Sequence, residues 1–134
     1  MFKRGATKKA RVMSLEEAVK TYIKDGNMVG FGGFTAMNRN PSAVAWQMIR
    51  QGIKNVHVMD RHGSFCTWVL NAVQAIKIYE TDWVGWGEMA GKLDINLEKT
   101  YKAGKMIIED YSHGAMAMRF LAGGIGAPFI PYYA

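Results

Sequence analysis

The sequence contains a single cysteine, Cys66, and only three prolines. One thiol cannot form an internal disulfide, and it cannot supply the paired cysteines of a structural zinc site. No apolar run approaches the roughly 20 residues that a membrane helix requires. The apolar core of a secretory signal is also missing, so we expect a cytoplasmic protein that makes no membrane contact.

Common nucleotide-binding and nucleophile motifs are absent as well. The pair Gly32-Gly33 lacks the third glycine of a dinucleotide fingerprint and the Lys-Ser/Thr of a phosphate-binding loop. Gly63-Ser64 does not complete the G-x-S-x-G pattern of a hydrolase elbow. These absences exclude the simplest NAD-dependent, ATP-dependent and serine-hydrolase assignments.

Charge is unevenly distributed along the chain. The net charge is +6, and five basic residues precede Glu16, which is the first acid. We interpret residues 1–12 as a mobile, solvated basic arm and residues 13–134 as one domain. A targeting segment, a nucleic-acid contact and attraction of a phosphate-bearing ligand remain alternatives for the arm. Aromatic residues do not interleave with its charges beyond Phe2, so we expect no nucleic-acid partner.

Apolar periodicity predicts an α/β fold. The domain alternates amphipathic segments with short apolar runs, and strands joined by helices form mainly parallel sheets. We therefore predict an open, mainly parallel sheet with helices on both faces. The predicted helices begin after Ser14, at Asn40-Pro41, at Phe65, at Asp94 and at Ser112 or His113, and the last of them ends at Gly123-Gly124. The predicted strands cover 28–31, 56–59, 75–79 and 106–109.

Two strand ends carry candidate binding residues. Gly32-Gly33 follows the first strand, and the carboxyl ends of parallel strands are where ligands bind in such sheets. Without a Cβ, these glycines permit a ligand to approach the main chain, although a plain turn is the alternative. Gly63-Ser64 follows the second strand, where its hydroxyl and N–H could bind a carboxylate or could simply cap a helix.

Ionisable side chains give weaker signals. Glu109 ends the fourth strand beside Asp110, but neighbours in a strand point to opposite faces, so they do not form a carboxylate dyad. Glu109 either does acid, base or nucleophilic chemistry or has a structural role. His57, His62 and His113 lack metal-ligand spacing, so we interpret them as ordinary histidines and predict no metal site.

An ordered set of short motifs resembles the α (A-type) subunits of family I CoA-transferases, particularly those of the glutaconate type. The similarity covers nearly the whole chain after residue 12, but only about the first half of such subunits. The motifs are Asp25-Gly26, Gly32-Gly33-Phe34, Pro41, Ala103-Gly104-Lys105, Glu109 and the run from Arg119 to Pro128.

The resemblance implies a fold of the CoA-transferase type, incomplete in this chain, and ping-pong transfer of CoA between carboxylic acids. The nucleophilic glutamate would belong to a β-type partner in a hetero-oligomer. Coenzyme A or its thioester would be a substrate, with no tightly bound cofactor. This chain would contribute an acyl pocket to the active site. The pocket would be lined by Gly32, Gly33, Phe34, Arg39, Gly63 and Ser64.

Two other functions remain open from the sequence. The resemblance also implies a second possibility, a CoA-thioester hydrolase or ring-opening enzyme of the same fold. That related branch hydrolyses a cyclic ketone in a CoA thioester with a glutamate at the position of Glu109. A non-catalytic binding or scaffolding role is the third possibility.

Overall fold

The computed structural model describes residues 12–33, 38–84 and 94–133. The basic arm and Phe34 lie outside these ranges. Five helices and four strands alternate through the described residues. In chain order they are α1 (Leu15–Tyr22), β1 (Met28–Phe31), α2 (Ser42–Arg50), β2 (Val56–Asp60), α3 (Phe65–Ala72), β3 (Ile76–Thr81), α4 (Ile95–Lys102), β4 (Ile107–Asp110) and α5 (His113–Ile125).

Short polar side chains begin four of these helices. Ser14 and Glu17 form a reciprocal capping box at α1, in which each side chain binds the other residue's backbone N–H. Ser64, Asp94 and Ser112 each accept a hydrogen bond from the first turn of α3, α4 and α5. Each cap satisfies a backbone donor that has no partner inside its helix.

The sheet has the sequential order β1-β2-β3-β4, and all three strand pairs are parallel. In register, Gly30 pairs with Met59, Met59 with Glu80, and Glu80 with Glu109. Every strand therefore ends at the same edge of the sheet, which brings the four following loops together. The predicted α/β parallel sheet is confirmed.

The core lies on one face of the sheet. Val58 and Tyr79 are paired on that face, and they pack with the buried side chains of Met48 from α2 and Leu70 from α3. Burial of these side chains supplies most of the hydrophobic stabilisation, at about 25 cal/mol per Å² of apolar surface.

Helix α5 lies on the opposite face. Its Arg119 contacts Glu80, which also has His57 Nε2 within 2.6 Å of its Oε1. Its Phe120 approaches Gly30, where an added Cβ would lie 3.8 Å from the ring. No other described helix covers the rest of that face, where Met28 and Ile107 are 57% and 52% exposed.

The end of α5 corrects one prediction. Gly123-Gly124 does not terminate the helix, which continues to Ile125 and ends at Gly126 with φ of 71°. Ala127 N–H then bonds the Ala122 carbonyl, which closes the last turn. Glycine weakens a helix interior by about 1 kcal/mol relative to alanine but does not forbid it.

Candidate functional site

A cleft of about 280 Å³ opens at the carboxyl end of β1. Main chain from the strand end forms one wall, and Phe120 and Arg61 contribute to the others. Phe31 also borders the cleft, although its side chain belongs to the hydrophobic core. Among the described residues it is lined by Gly30, Phe31, Gly32, Gly33, Arg61 and Phe120. An apolar cleft with a cation at its rim suits a ligand that combines an acyl chain with an anionic group.

The glycine pair differs in how much room each residue has. A Cβ added at Gly32 would meet nothing within 4 Å among the described atoms. At Gly33 it would lie 3.2 Å from Asn40 Oδ1 and 3.5 Å from the Arg39 carbonyl oxygen. Gly32 therefore leaves space for a ligand, whereas Gly33 permits close approach of the returning loop. Arg39, whose φ is 57°, adjoins Gly33 through its carbonyl group and is not among the described residues that line the cleft.

Ser64 has a structural partner. Its hydroxyl accepts from the Thr67 N–H at 3.4 Å, and its own N–H donates to Asp60 Oδ2 at 2.8 Å. The helix-cap alternative is thus observed, and Ser64 is buried. Gly63, with φ of 47°, makes the turn that places this cap.

Asp60 is a buried carboxyl group directly beneath this loop. Burial raises its pKa to about 6, and the nearby Asp82 charge adds to the rise. The hydrogen bonds from Ser64 and Thr67 oppose it. Asp60 therefore holds the loop between β2 and α3 in place.

Glu109 lies away from the cleft. Its strand β4 is three places from β1, and strands are about 4.8 Å apart, so the two ends are separated by about 14 Å. Glu109 is exposed, and its Oε2 accepts from the Tyr111 hydroxyl at 2.9 Å. The described structure brings Gly32, Gly33 and the Arg39 backbone together but does not bring Glu109 to them.

Two cleft residues are not indicated as binding residues by the sequence motifs. Arg61 directly follows β2, so its place at a strand end could have indicated it. Phe120 carries no such signal, because its position depends on α5 crossing the sheet near Gly30. The glycine-rich motif that begins at Arg119 suggests only a helix end, yet the side chain of Arg119 binds Glu80.

Comparison with known proteins decides the family. Residues 12–134 match the family model described as Coenzyme A transferase. The chain belongs to the coenzyme A transferase family.

No helix among the described residues is both long and apolar enough to cross a bilayer.

Named relatives agree with this family assignment. The A-type subunit of glutaconate CoA-transferase from Acidaminococcus fermentans is 28% identical over 122 residues, which are 91% of this chain and 38% of the relative. For the A-type subunit of 3-oxoadipate CoA-transferase from Pseudomonas knackmussii the identity is also 28%, over 90% of this chain and 42% of the relative. The chain thus spans about 40% of the length of these relatives.

The fold agrees with a solved structure of the same family. The crystal structure of glutaconate coenzyme A-transferase from Acidaminococcus fermentans matches with a TM-score of 0.82 and 27% identity. The match covers 91% of this chain and 38% of that chain. The resemblance to CoA-transferases seen in the sequence motifs is confirmed, and a glutaconate CoA-transferase is among the similar proteins.

Proposed function

We propose that this chain acts as an α-type subunit of a cytoplasmic, heteromeric CoA-transferase that moves CoA between carboxylic acids. The observation that carries the proposal is the glycine pair Gly32-Gly33 opening onto a cleft at the carboxyl end of β1. Membership of the family and the relatives named as A-type subunits support it.

The proposed chemistry divides between two chains. A glutamate carboxylate of a β-type partner would attack the acyl-CoA carbonyl and displace the CoA thiolate, forming a mixed anhydride. The thiolate would then attack the glutamyl carbonyl, which releases the first carboxylic acid and leaves CoA as a glutamyl thioester. The second acid would take up CoA by the same two steps in reverse, which frees the glutamate. Our chain would admit and orient the acyl group. Bare main chain at Gly32 would let the reacting carbonyl come close, and the apolar ring of Phe120 would help to exclude water from the cleft.

Arg61 supplies the charge that such a cleft needs. Its Nε lies 3.4 Å from Asp82 Oδ2, and its side chain remains 55% exposed at the rim. The Asp82 contact restrains the arginine in place, while its cation attracts a carboxylate or a phosphate of CoA. Arg39, whose backbone adjoins Gly33, and Gly63, in the loop after β2, would complete the proposed surface.

The position of Glu109 favours the transferase over the thioester hydrolase. A carboxylate must come within hydrogen-bond reach of the reacting atoms to act on them. Glu109 lies about 14 Å from the glycine pair across the sheet, and its carboxylate accepts a hydrogen bond from the Tyr111 hydroxyl. We therefore expect Glu109→Gln to retain CoA transfer when the chain is combined with its partner.

The experiment combines this chain with a β-type CoA-transferase partner and measures CoA exchange from an acyl-CoA to a second carboxylic acid. Transfer that requires both chains, with a borohydride-sensitive thioester on the partner, is the expected result. Trapping of the thioester separates transfer from hydrolysis, because a hydrolase releases CoA without an acceptor.

Two results would contradict the proposal. Hydrolysis without transfer, abolished by Glu109→Gln, would assign the chain to the hydrolase branch. Assembly with the partner but no turnover of any CoA thioester would assign it a scaffolding role.

A further inference from the structure

Three loops at the carboxyl edge of the sheet bring two histidines and an aspartate together. His62 follows β2, Asp82 follows β3, and His113 opens α5 just after β4. One ligand atom from each residue can be chosen so that all three lie within 4.8 Å of one another. His62 Nδ1 is 3.0 Å from His113 Nε2, and His113 Nδ1 is 3.8 Å from Asp82 Oδ2.

Asp82 makes this cluster different from a chance meeting of surface histidines. Its side chain has no solvent exposure, and neither carboxylate oxygen accepts a hydrogen bond from any described residue. A buried carboxylate without hydrogen bonds is unfavourable by several kcal/mol unless a cation lies beside it. Arg61 gives partial compensation, since its Nε lies 3.4 Å from Asp82 Oδ2 as an ion pair without a hydrogen bond between them.

Loop geometry places the two imidazoles side by side and brings His113 next to this carboxylate. His62 adopts φ of 79°, an unusual conformation for a residue with a side chain, and its ring stacks on Trp83 with a centroid separation of 6.0 Å. His113 is held at the first position of α5 by the Ser112 cap. Strain of this kind persists only when the surrounding structure holds it.

We propose that His62, Asp82 and His113 bind a divalent first-row transition metal ion, with Zn²⁺ as the probe. Two imidazoles and one carboxylate suit such ions, whereas Mg²⁺ and Ca²⁺ prefer oxygen ligands alone. Metal–ligand bonds of about 2.0–2.1 Å require the three atoms to close slightly from their present spacing. Rotation of the His113 side chain, which is 45% exposed, provides that closure.

The site has an open side toward solvent. Asp82 forms its buried floor, and the two imidazoles stand at its entrance. Three protein ligands leave at least one coordination position for water or another small ligand. The proposal does not depend on CoA transfer, because metal uptake is measured without any CoA ester.

The test is calorimetric titration of the full chain with Zn²⁺, repeated with Co²⁺ while the visible absorption is recorded. We expect one equivalent to bind, with the intense d–d absorption of a low-coordinate Co²⁺ site. His113→Ala and Asp82→Asn should each weaken Zn²⁺ binding at least about tenfold, since loss of even an outer-sphere partner has effects of that size. Circular dichroism of each variant verifies folding.

His57→Gln is the matched control. His57 is the remaining histidine of the chain, and it lies against Glu80 on the sheet surface rather than in the cluster. It should leave Zn²⁺ affinity unchanged. Absence of Zn²⁺ uptake by the parent chain, equal loss in His57→Gln, or full affinity in folded Asp82→Asn would each overturn the three-ligand site.

Discussion

The two glycines after β1 have different roles at the cleft. One permits the backbone conformation of the loop, and the other leaves room for a ligand. Gly33 is confined by the returning loop, because an added Cβ would lie 3.4 Å from the Asn38 carbonyl oxygen. A substitution there would strain the loop as well as fill the cleft. Gly32 has no such neighbour among the described atoms, and its φ is not in the left-handed region. Gly32 is therefore the sharper probe.

We expect Gly32→Val to lower kcat/KM for CoA transfer at least about tenfold, which corresponds to about 1.4 kcal/mol of lost transition-state stabilisation. The valine side chain occupies the space that the acyl group needs, and the fold remains unchanged. Steady-state kinetics with the partner present measure the effect. The control is Gly124→Val on α5, also without neighbours within 4 Å. Equal activities in the two variants would contradict the cleft assignment.

Cys66 illustrates a residue whose environment makes it inert. Its side chain is fully buried, and that burial raises the pKa of the thiol to about 11. At pH 8 only about one molecule in a thousand carries the thiolate, the form that reacts. We expect a disulfide reagent to label native protein far more slowly than glutathione, and one equivalent to react in concentrated guanidinium.

The raised pKa of Cys66 also determines how its contribution to folding stability changes with pH. Because the folded pKa is above the unfolded value of 9.0, Cys66 favours folding at lower pH, and that contribution declines as pH rises toward 11. Rapid labelling of the native protein at pH 8 would show that Cys66 is accessible after all.

At the scale of secondary-structure elements, α5 combines a polar attachment with a narrow buried face. Arg119 contacts the buried Glu80 and lies over the Tyr111 ring at 4.3 Å. Met116 and Ala122 of the helix are buried, whereas the large apolar residues Phe120, Leu121 and Ile125 are exposed. The Arg119 contact therefore adds to a limited apolar interface.

We expect Arg119→Met to lower the free energy of unfolding by about 1–2 kcal/mol. Removing one partner of a fully buried pair costs about 3–5 kcal/mol, and Arg119 is 37% exposed, which reduces the effect. Urea titration measures it. In the double variant Arg119→Met/Glu80→Gln most of the loss should disappear, because no uncompensated carboxylate remains. Strict additivity of the two substitutions would show that the ion pair does not anchor α5.

Local sequence signals identify all nine elements but not how they meet. The capping pattern at Ser14 and Glu17 and the apolar runs of the strands act within a few residues, so they can be recognised without the structure. The predicted length of α5 is wrong, because glycine's weak helix propensity is outweighed by the closure of the last turn at Gly126.

The candidate site divides in the same way. Gly32 could be predicted, since it follows a strand directly. The contacts of Arg119 with Glu80 and of His62 with His113 span 39 and 51 residues, and no local pattern encodes them. Phe34 lies outside the described residues, and its proposed place in the acyl pocket stays a prediction.

On the scale of the whole molecule, the two faces of the sheet are covered unequally. One face carries the core beneath α2 and α3, and the other is crossed only by α5 among the described helices. Met28 and Ile107 stand exposed at its two outer strands. Exposed apolar surface of this kind promotes association.

We expect the isolated chain to self-associate with rising concentration and Met28→Lys/Ile107→Lys to reduce that association, as measured by sedimentation and light scattering. The matched control is Tyr22→Lys, a substitution of a 61% exposed side chain on α1. It should have a smaller effect, because α1 belongs to the covered side. A monodisperse parent monomer throughout the concentration range would refute the expectation.

The sequential strand order has a consequence for biosynthesis. Each strand pairs with the one that immediately precedes it in the chain, so no strand must wait for a distant partner to leave the ribosome. Parallel pairing across a helix is intrinsically slow, because a loop must close before its contacts form. Because the chain leaves the ribosome from its amino end, each new strand can pair as soon as it emerges. The edge of the sheet that carries Gly32 and Gly33 is then extended one strand at a time during translation.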